Sequence, residues 1–259
     1  MAMSSVIRIL SPQAEALHAR RRELVELRRT LAENELNLST TKAELHIFEK
    51  RYQSVVGPMY AELDQVKAQV LGLASRFYPK AENFREEAES AREQAEDFQD
   101  KNPEAEKPKQ EFKPPENLKK LFRQVAKKIH PDLASSAEER EHRHDLMSKL
   151  NQAYDRLDEE GIRLILIEWE AEEPLQETYE LGEQLVRVVS QIAQMRKRMH
   201  EIDDELEDLS LTEMFQLKLN IESAKQEGHD LLQEIADDIA EKIKKTKTKI
   251  RDLAYDFIE

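Results

Sequence analysis

The triplet His130-Pro131-Asp132 sets an imidazole and a carboxylate on either side of a proline. Such a pair can serve as general acid and base, as metal ligands, or as a recognition loop whose shape the proline fixes. Acid–base or metal chemistry needs further groups within reach. The nearest histidines, His142 and His144, stand two positions apart and so face different sides of a helix. The chain has no cysteine, which excludes thiolate metal sites and disulfides. Its five scattered glycines cannot build a glycine-rich phosphate loop. The sequence therefore predicts no catalytic residue, no metal and no cofactor, and leaves the triplet as a recognition loop.

Two helices must hold such a loop. Glu116 to Ile129 carries Leu118, Leu121, Phe122, Val125 and Ile129 at helical spacing, with Lys119, Lys120, Arg123, Lys127 and Lys128 over the rest of its surface. Pro131 stops that helix. Ser135 and Ser136, each followed three residues later by a glutamate, offer N-caps for a second helix. Leu146, Met147, Leu150, Ala153, Tyr154 and Leu157 line its apolar face, and Gly161 is expected to close it. A third short helix is expected from Ile162 to about residue 172, with Leu164, Ile165, Leu166 and Trp169. Together these make a small unit over 116–172, preceded at 101–115 by a linker rich in Lys, Glu and Pro without apolar periodicity.

Most of the remaining chain is heptad. Leu17, Leu24, Leu31, Leu38, Leu45 and Tyr52 recur every seven residues from a start at Ser11-Pro12. Gly57-Pro58 is expected to end this helix and begin another, with Met59, Leu63, Val66, Val70, Leu73 and Phe77 on its seam. So short a connection predicts an antiparallel hairpin over 11–100. Leu181, Leu185, Val188, Ile192, Met195, Met199, Ile202, Leu206 and Leu209 repeat the plan, and a break with a capping box at Ser210 and Glu213 leads to a last helix through Leu232, Ile239 and Ile243. A second hairpin over 174–259 follows. The expected fold is all-α: two long antiparallel coiled-coil hairpins flanking a small helical unit. The seams can also pair between copies, which would make a homo-oligomer.

Composition narrows the partners. Charged residues make up 36% of the 259 and aromatics 6%, a profile of long solvated helices. A net charge of −14 disfavours nucleic acid, whose phosphates need a basic surface. No apolar run approaches the roughly 18 residues a membrane span needs, so no membrane insertion is expected and a cytoplasmic protein is.

LKKLFRQVAKKIHPD (118–132) resembles the second helix and loop of J domains, and MSKLNQAYDRL (147–157) resembles their third helix. The match covers roughly residues 116–160, and its specificity lies in the triplet's setting between a basic helix and an Asn-x-Ala-Tyr helix. The resemblance implies a partner, a DnaK-type chaperone ATPase in its ATP state. It assigns docking to Lys119, Phe122, Arg123, Lys127, Lys128, His130, Pro131, Asp132 and Asn151, with Asp132 offering its carboxylate to an arginine of the partner. On this view the chain is a J-domain co-chaperone and not an enzyme, with arms that choose an unknown client, a location or an oligomer. The other reading is a coiled-coil scaffold whose J-like unit is structural or docks without stimulating. Three departures from the family stand out. No first helix with a Tyr and a Leu-Gly turn precedes residue 116, Phe122 replaces a tyrosine, and Leu133 follows the triplet where a basic residue is common.

Overall fold

The computed structural model describes residues 11–77, 90, 112–171 and 180–255. Among these residues the protein is all-helical and has no strand. In chain order the helices are α1 (Pro12–Phe77), α2 (Glu116–Ile129), a 3-10 turn (Pro131–Leu133), α3 (Ala137–Asp155), α4 (Glu159–Ala171), α5 (Leu181–Leu211), α6 (Glu213–Gln226) and α7 (Leu231–Tyr255). None of them is long and apolar enough to cross a membrane. The chain divides into two units, one of residues 1–43 and 113–211, the other of residues 44–112 and 212–259.

In the first unit the leucine seam of α1 is filled by α5. Leu17, Leu24, Leu31 and Leu38 form one buried cluster with Val188, Ile192, Met195 and Ile202. At about 1.5–3 kcal/mol per buried side chain, this seam is the main stabilising contact between the two helices. Polar pairs at its edge fix the register. Arg21 with Gln184, Glu35 with Arg198 and Lys42 with Glu205 are each 163 positions apart. A constant offset means that the two helices run in the same direction. α2, α3 and α4 pack on one another beside this pair, around Leu118, Phe122, Val125, Leu146, Leu150, Tyr154 and Ile162, all fully buried or nearly so.

In the second unit Val56, Leu63 and Val66 of α1 are buried with Ile221 of α6 and Leu232, Ile239 and Ile243 of α7. Here too the pairing ascends along α1 and along α6 and α7, with Lys218 on Glu44 at 3.2 Å and Lys247 on Glu62 at 2.6 Å.

The hairpin expected at Gly57-Pro58 is not made there, because Pro58 lies inside α1. Proline removes one backbone bond and strains the preceding turn, at about 3 kcal/mol. Burial of Val56, Leu63 and Val66 in one cluster outweighs that cost. The rest of the expected 11–100 hairpin, and most of the 101–115 linker, lie outside the described residues. In the expected 174–259 hairpin, α5 would have packed on the last helix; its seam is instead occupied by α1. Heptad spacing shows that a seam exists, and a distant helix fills it as well as a neighbour does.

Three boundaries also differ from expectation. Thr212, not Ser210, caps α6, accepting from Phe215 N–H at 3.3 Å. The last helix is split at 227–230, where Gly228 takes the left-handed conformation (φ 88°) and Asp230 caps α7 by accepting from Gln233 N–H at 3.2 Å. α3 ends before Leu157, itself left-handed at φ 58°, and Gly161 sits inside α4. A Cβ at position 161 would collide with the Asp158 carboxylate that caps this helix by accepting from Gly161 N–H at 2.8 Å.

Candidate functional site

The triplet lies between α2 and α3, as its sequence predicts, and its shape is fixed from both sides. Ser136 caps α3 by accepting from Glu139 N–H at 3.1 Å, while the Glu139 carboxylate accepts from Ser135 N–H and Oγ–H at 2.6 Å each. Burial alone would raise the Glu139 carboxyl. The Ser135 hydrogen bonds and the Arg143 guanidinium outweigh it and hold the group down at about 2. Arg143 is buried. It donates to Lys128 O at 2.8 Å and His130 O at 3.4 Å, pairs with Glu139, and stacks 4.3 Å from the Trp169 ring centroid. One guanidinium thus holds the last carbonyls of α2, the start of the loop, α3 and α4 together.

His130 is buried, with 4% of its surface exposed. Its Nδ1 accepts from Asp132 N–H at 3.2 Å, so the proton sits on Nε2, which donates to Glu35 of α1 at 3.0 Å. Glu35 is itself buried and accepts from Arg198 of α5 at 2.9 and 3.3 Å. Burial pushes the Glu35 carboxyl up, but hydrogen bonds from His130 and Arg198 and the Arg198 charge hold it below the ordinary range. Pro131 is buried. The loop carbonyls are held by α5: Gln191 donates to Leu133 O at 3.1 Å. Gln194, with its amide in the orientation that satisfies both its ends, donates to Asp132 O at 3.0 Å and accepts from Arg140 at 3.2 Å. Leu133 is seated in the cluster that joins α1 to α5.

Asp132 stands apart from these satisfied groups. Its Oδ2 is buried and has no hydrogen-bond partner; His130 Nδ1, itself an acceptor, lies 3.6 Å away. Burial pushes its carboxyl up. His130 and Arg198 pull it down, Glu201 and Glu35 add to the rise, and the net direction is upward.

No protein-family model, curated protein or solved structure matches the chain.

The remaining expected docking residues scatter. Lys120 and Lys127 are exposed and Lys119 is half-buried. Arg123 is turned to Glu33 of α1 and to Glu116, both at 3.1 Å, and Lys128 pairs with Glu170 at 2.5 Å. Phe122 has no exposed surface; its ring lies 4.8 Å from that of Tyr154 and holds α2 to α3. Asn151 accepts from Ser39 Oγ–H of α1 at 3.0 Å, beside Tyr154 OH and Thr40 Oγ1 at 3.0 Å. Phe122 belongs to internal packing, and Asn151 is half-buried against α1. Among the described residues no group of three His, Cys, Asp or Glu side chains could hold a metal ion.

Glu35, Arg143, Gln191, Gln194 and Arg198 all shape the site, and sequence reasoning missed them. Two left a trace. Glu35 falls between Leu31 and Leu38 on the buried stripe of α1, and Arg143 shares a stripe with Leu146, Met147 and Leu150. A charged residue on an apolar stripe needs a buried partner.

Proposed function

We propose that this chain is a J-domain co-chaperone, docking on a DnaK-type chaperone ATPase through α2 and the His-Pro-Asp loop and stimulating its ATP hydrolysis. The observation that carries the reading is Asp132 Oδ2, a desolvated carboxylate oxygen without a donor at the end of a basic helix. A buried acceptor left unsatisfied is costly, and an arginine from a partner would satisfy it with a charge-assisted bond. Exposed Lys120 and Lys127 on α2 suit an acidic partner surface, giving fast, salt-sensitive encounter. The chain makes and breaks no bond in this scheme. It accelerates turnover only so far as it binds the hydrolysis-competent state of its partner better than the resting state. The arms of α1 and α5–α7 would select a client, a location or an oligomer.

The burial of His130 and Leu133 against α1 and α5 favours a second reading, a coiled-coil scaffold whose J-like unit docks on its own arms. Interferometry on an immobilised DnaK-type ATPase separates the two. The first reading expects binding in ATP and little in ADP, weakening with salt, and lost in a Lys120→Glu/Lys127→Glu chain. Equal signals in both nucleotides, unmoved by the charge reversals, would favour the scaffold.

A further inference from the structure

We propose that α1 and α5 form an autoinhibitory clasp on the His-Pro-Asp loop, so that the chain engages its ATPase only when α5 lets go. The proposal rests on the docking role given above and adds its regulation.

The clasp has an apolar and a polar part. Leu133, next to the triplet, is seated in the buried seam where α1 meets α5. Around it, α5 reaches the loop backbone through Gln191 on Leu133 O and Gln194 on Asp132 O. From the other side α1 reaches His130 through Glu35, and Arg198 ties Glu35 back to α5. All these groups belong to one unit of the chain. A second protein cannot reach His130 or Pro131 while both helices are in place, since both residues are buried and α5 packs on the turn that carries Pro131.

The clasp is built to open. Gln191 and Gln194 lie at the half-exposed edge of the seam, so water can replace their bonds to the loop carbonyls, while the Arg198 bond to buried Glu35 and the seat of Leu133 are what opening has to give up. The closed state also leaves Asp132 Oδ2 desolvated and without a donor, and opening restores its hydration. A closed state that satisfies His130 and starves Asp132 is held less firmly than one that satisfies both. The apparent affinity for a partner then scales with the fraction of chains that are open.

The test is single-turnover ATP hydrolysis by the DnaK-type ATPase of the same organism, with the full chain in three forms: wild type, Gln191→Ala/Gln194→Ala/Arg198→Ala, and that triple with Asp132→Asn. Helical circular dichroism checks folding, and amide exchange at Asp132 and Leu133 reports opening of the loop. Removing the polar half of the clasp is expected to speed loop exchange and raise stimulation about tenfold above wild type. Asp132→Asn should return the triple to the unstimulated rate. If the triple and wild type stimulate equally, the clasp is wrong and the docking role stands. If loop exchange stays slow in the triple, other contacts cover the loop and the clasp is wrong again. If the loop exchanges fast and no form stimulates, the docking role fails and takes the clasp with it.

Discussion

Arg198→Ala isolates the ion pair that anchors the loop's histidine. Glu35 is buried and takes hydrogen bonds from His130 at 3.0 Å and from Arg198 at 2.9 and 3.3 Å. Without Arg198 the carboxylate keeps one donor in a desolvated place. Breaking a buried pair costs about 3–5 kcal/mol. The Arg198 side chain is 26% exposed, which admits water and lowers the expectation to about 2–3 kcal/mol. Its second bond, to Glu205 at 2.7 Å, lies at a more exposed edge and adds little. In urea unfolding followed by helical circular dichroism, the midpoint should fall by about 1 M with the slope unchanged. Glu35→Gln/Arg198→Met keeps an acceptor for His130 and removes both charges, so it should cost less than the single change. The effect also has a definite pH dependence. Glu35 has a depressed carboxyl in the folded chain, so its stabilisation is present above the ordinary carboxylate range and is lost as pH falls through the folded value. The gap between wild type and Arg198→Ala should therefore be widest near neutral pH and narrow in acid. A single variant as stable as wild type, or no less stable than the double, would refute the reasoning.

Arg143→Met keeps the apolar stem and removes every polar bond to Lys128, His130 and Glu139. It should destabilise by about 2–4 kcal/mol in urea and speed amide exchange in the loop. Gly161→Ala should destabilise the chain by 1 kcal/mol or so through its collision with Asp158. In an Asp158→Ala background the same change should stabilise, because alanine is the better helix former once the carboxylate is gone. Glu139, held down at about 2, contributes stability above the ordinary carboxylate range that is lost as pH falls from about 4.5 toward 2. Glu139→Gln should flatten that acid limb of the unfolding midpoint.

Local structure was legible in the sequence where spacing and capping decide it. The apolar faces of α2 and α3, the stop at Pro131 and the Ser136 cap follow from residue types at fixed offsets. So do the seams of α1 and α5, because period alone shows which side of a helix must be covered. What covers it is a tertiary matter. Leu24 and Ile192 read the same whether their partners are neighbours in the chain or, as here, more than 160 residues away. Pro58 was misread because a proline's local penalty is smaller than the burial on either side of it. At the site, the triplet, its basic helix and the apolar face holding Phe122 were visible, yet the ring of Tyr154 against Phe122 and the bond from Ser39 to Asn151 are tertiary and do not follow from spacing. Glu35 and Arg198 are single charged residues in a chain full of them, and only three-dimensional pairing distinguishes these two.

The central claim is that Asp132 acts on a partner's ATPase. Single-turnover hydrolysis by the DnaK-type protein, alone and with this chain, tests it most directly, with Asp132→Asn and His130→Gln as the paired variants. Wild type should speed hydrolysis, and both variants should lose the effect. Equal rates with wild type, with either variant and with no added chain, repeated after the α5 contacts to the loop are removed, would contradict it.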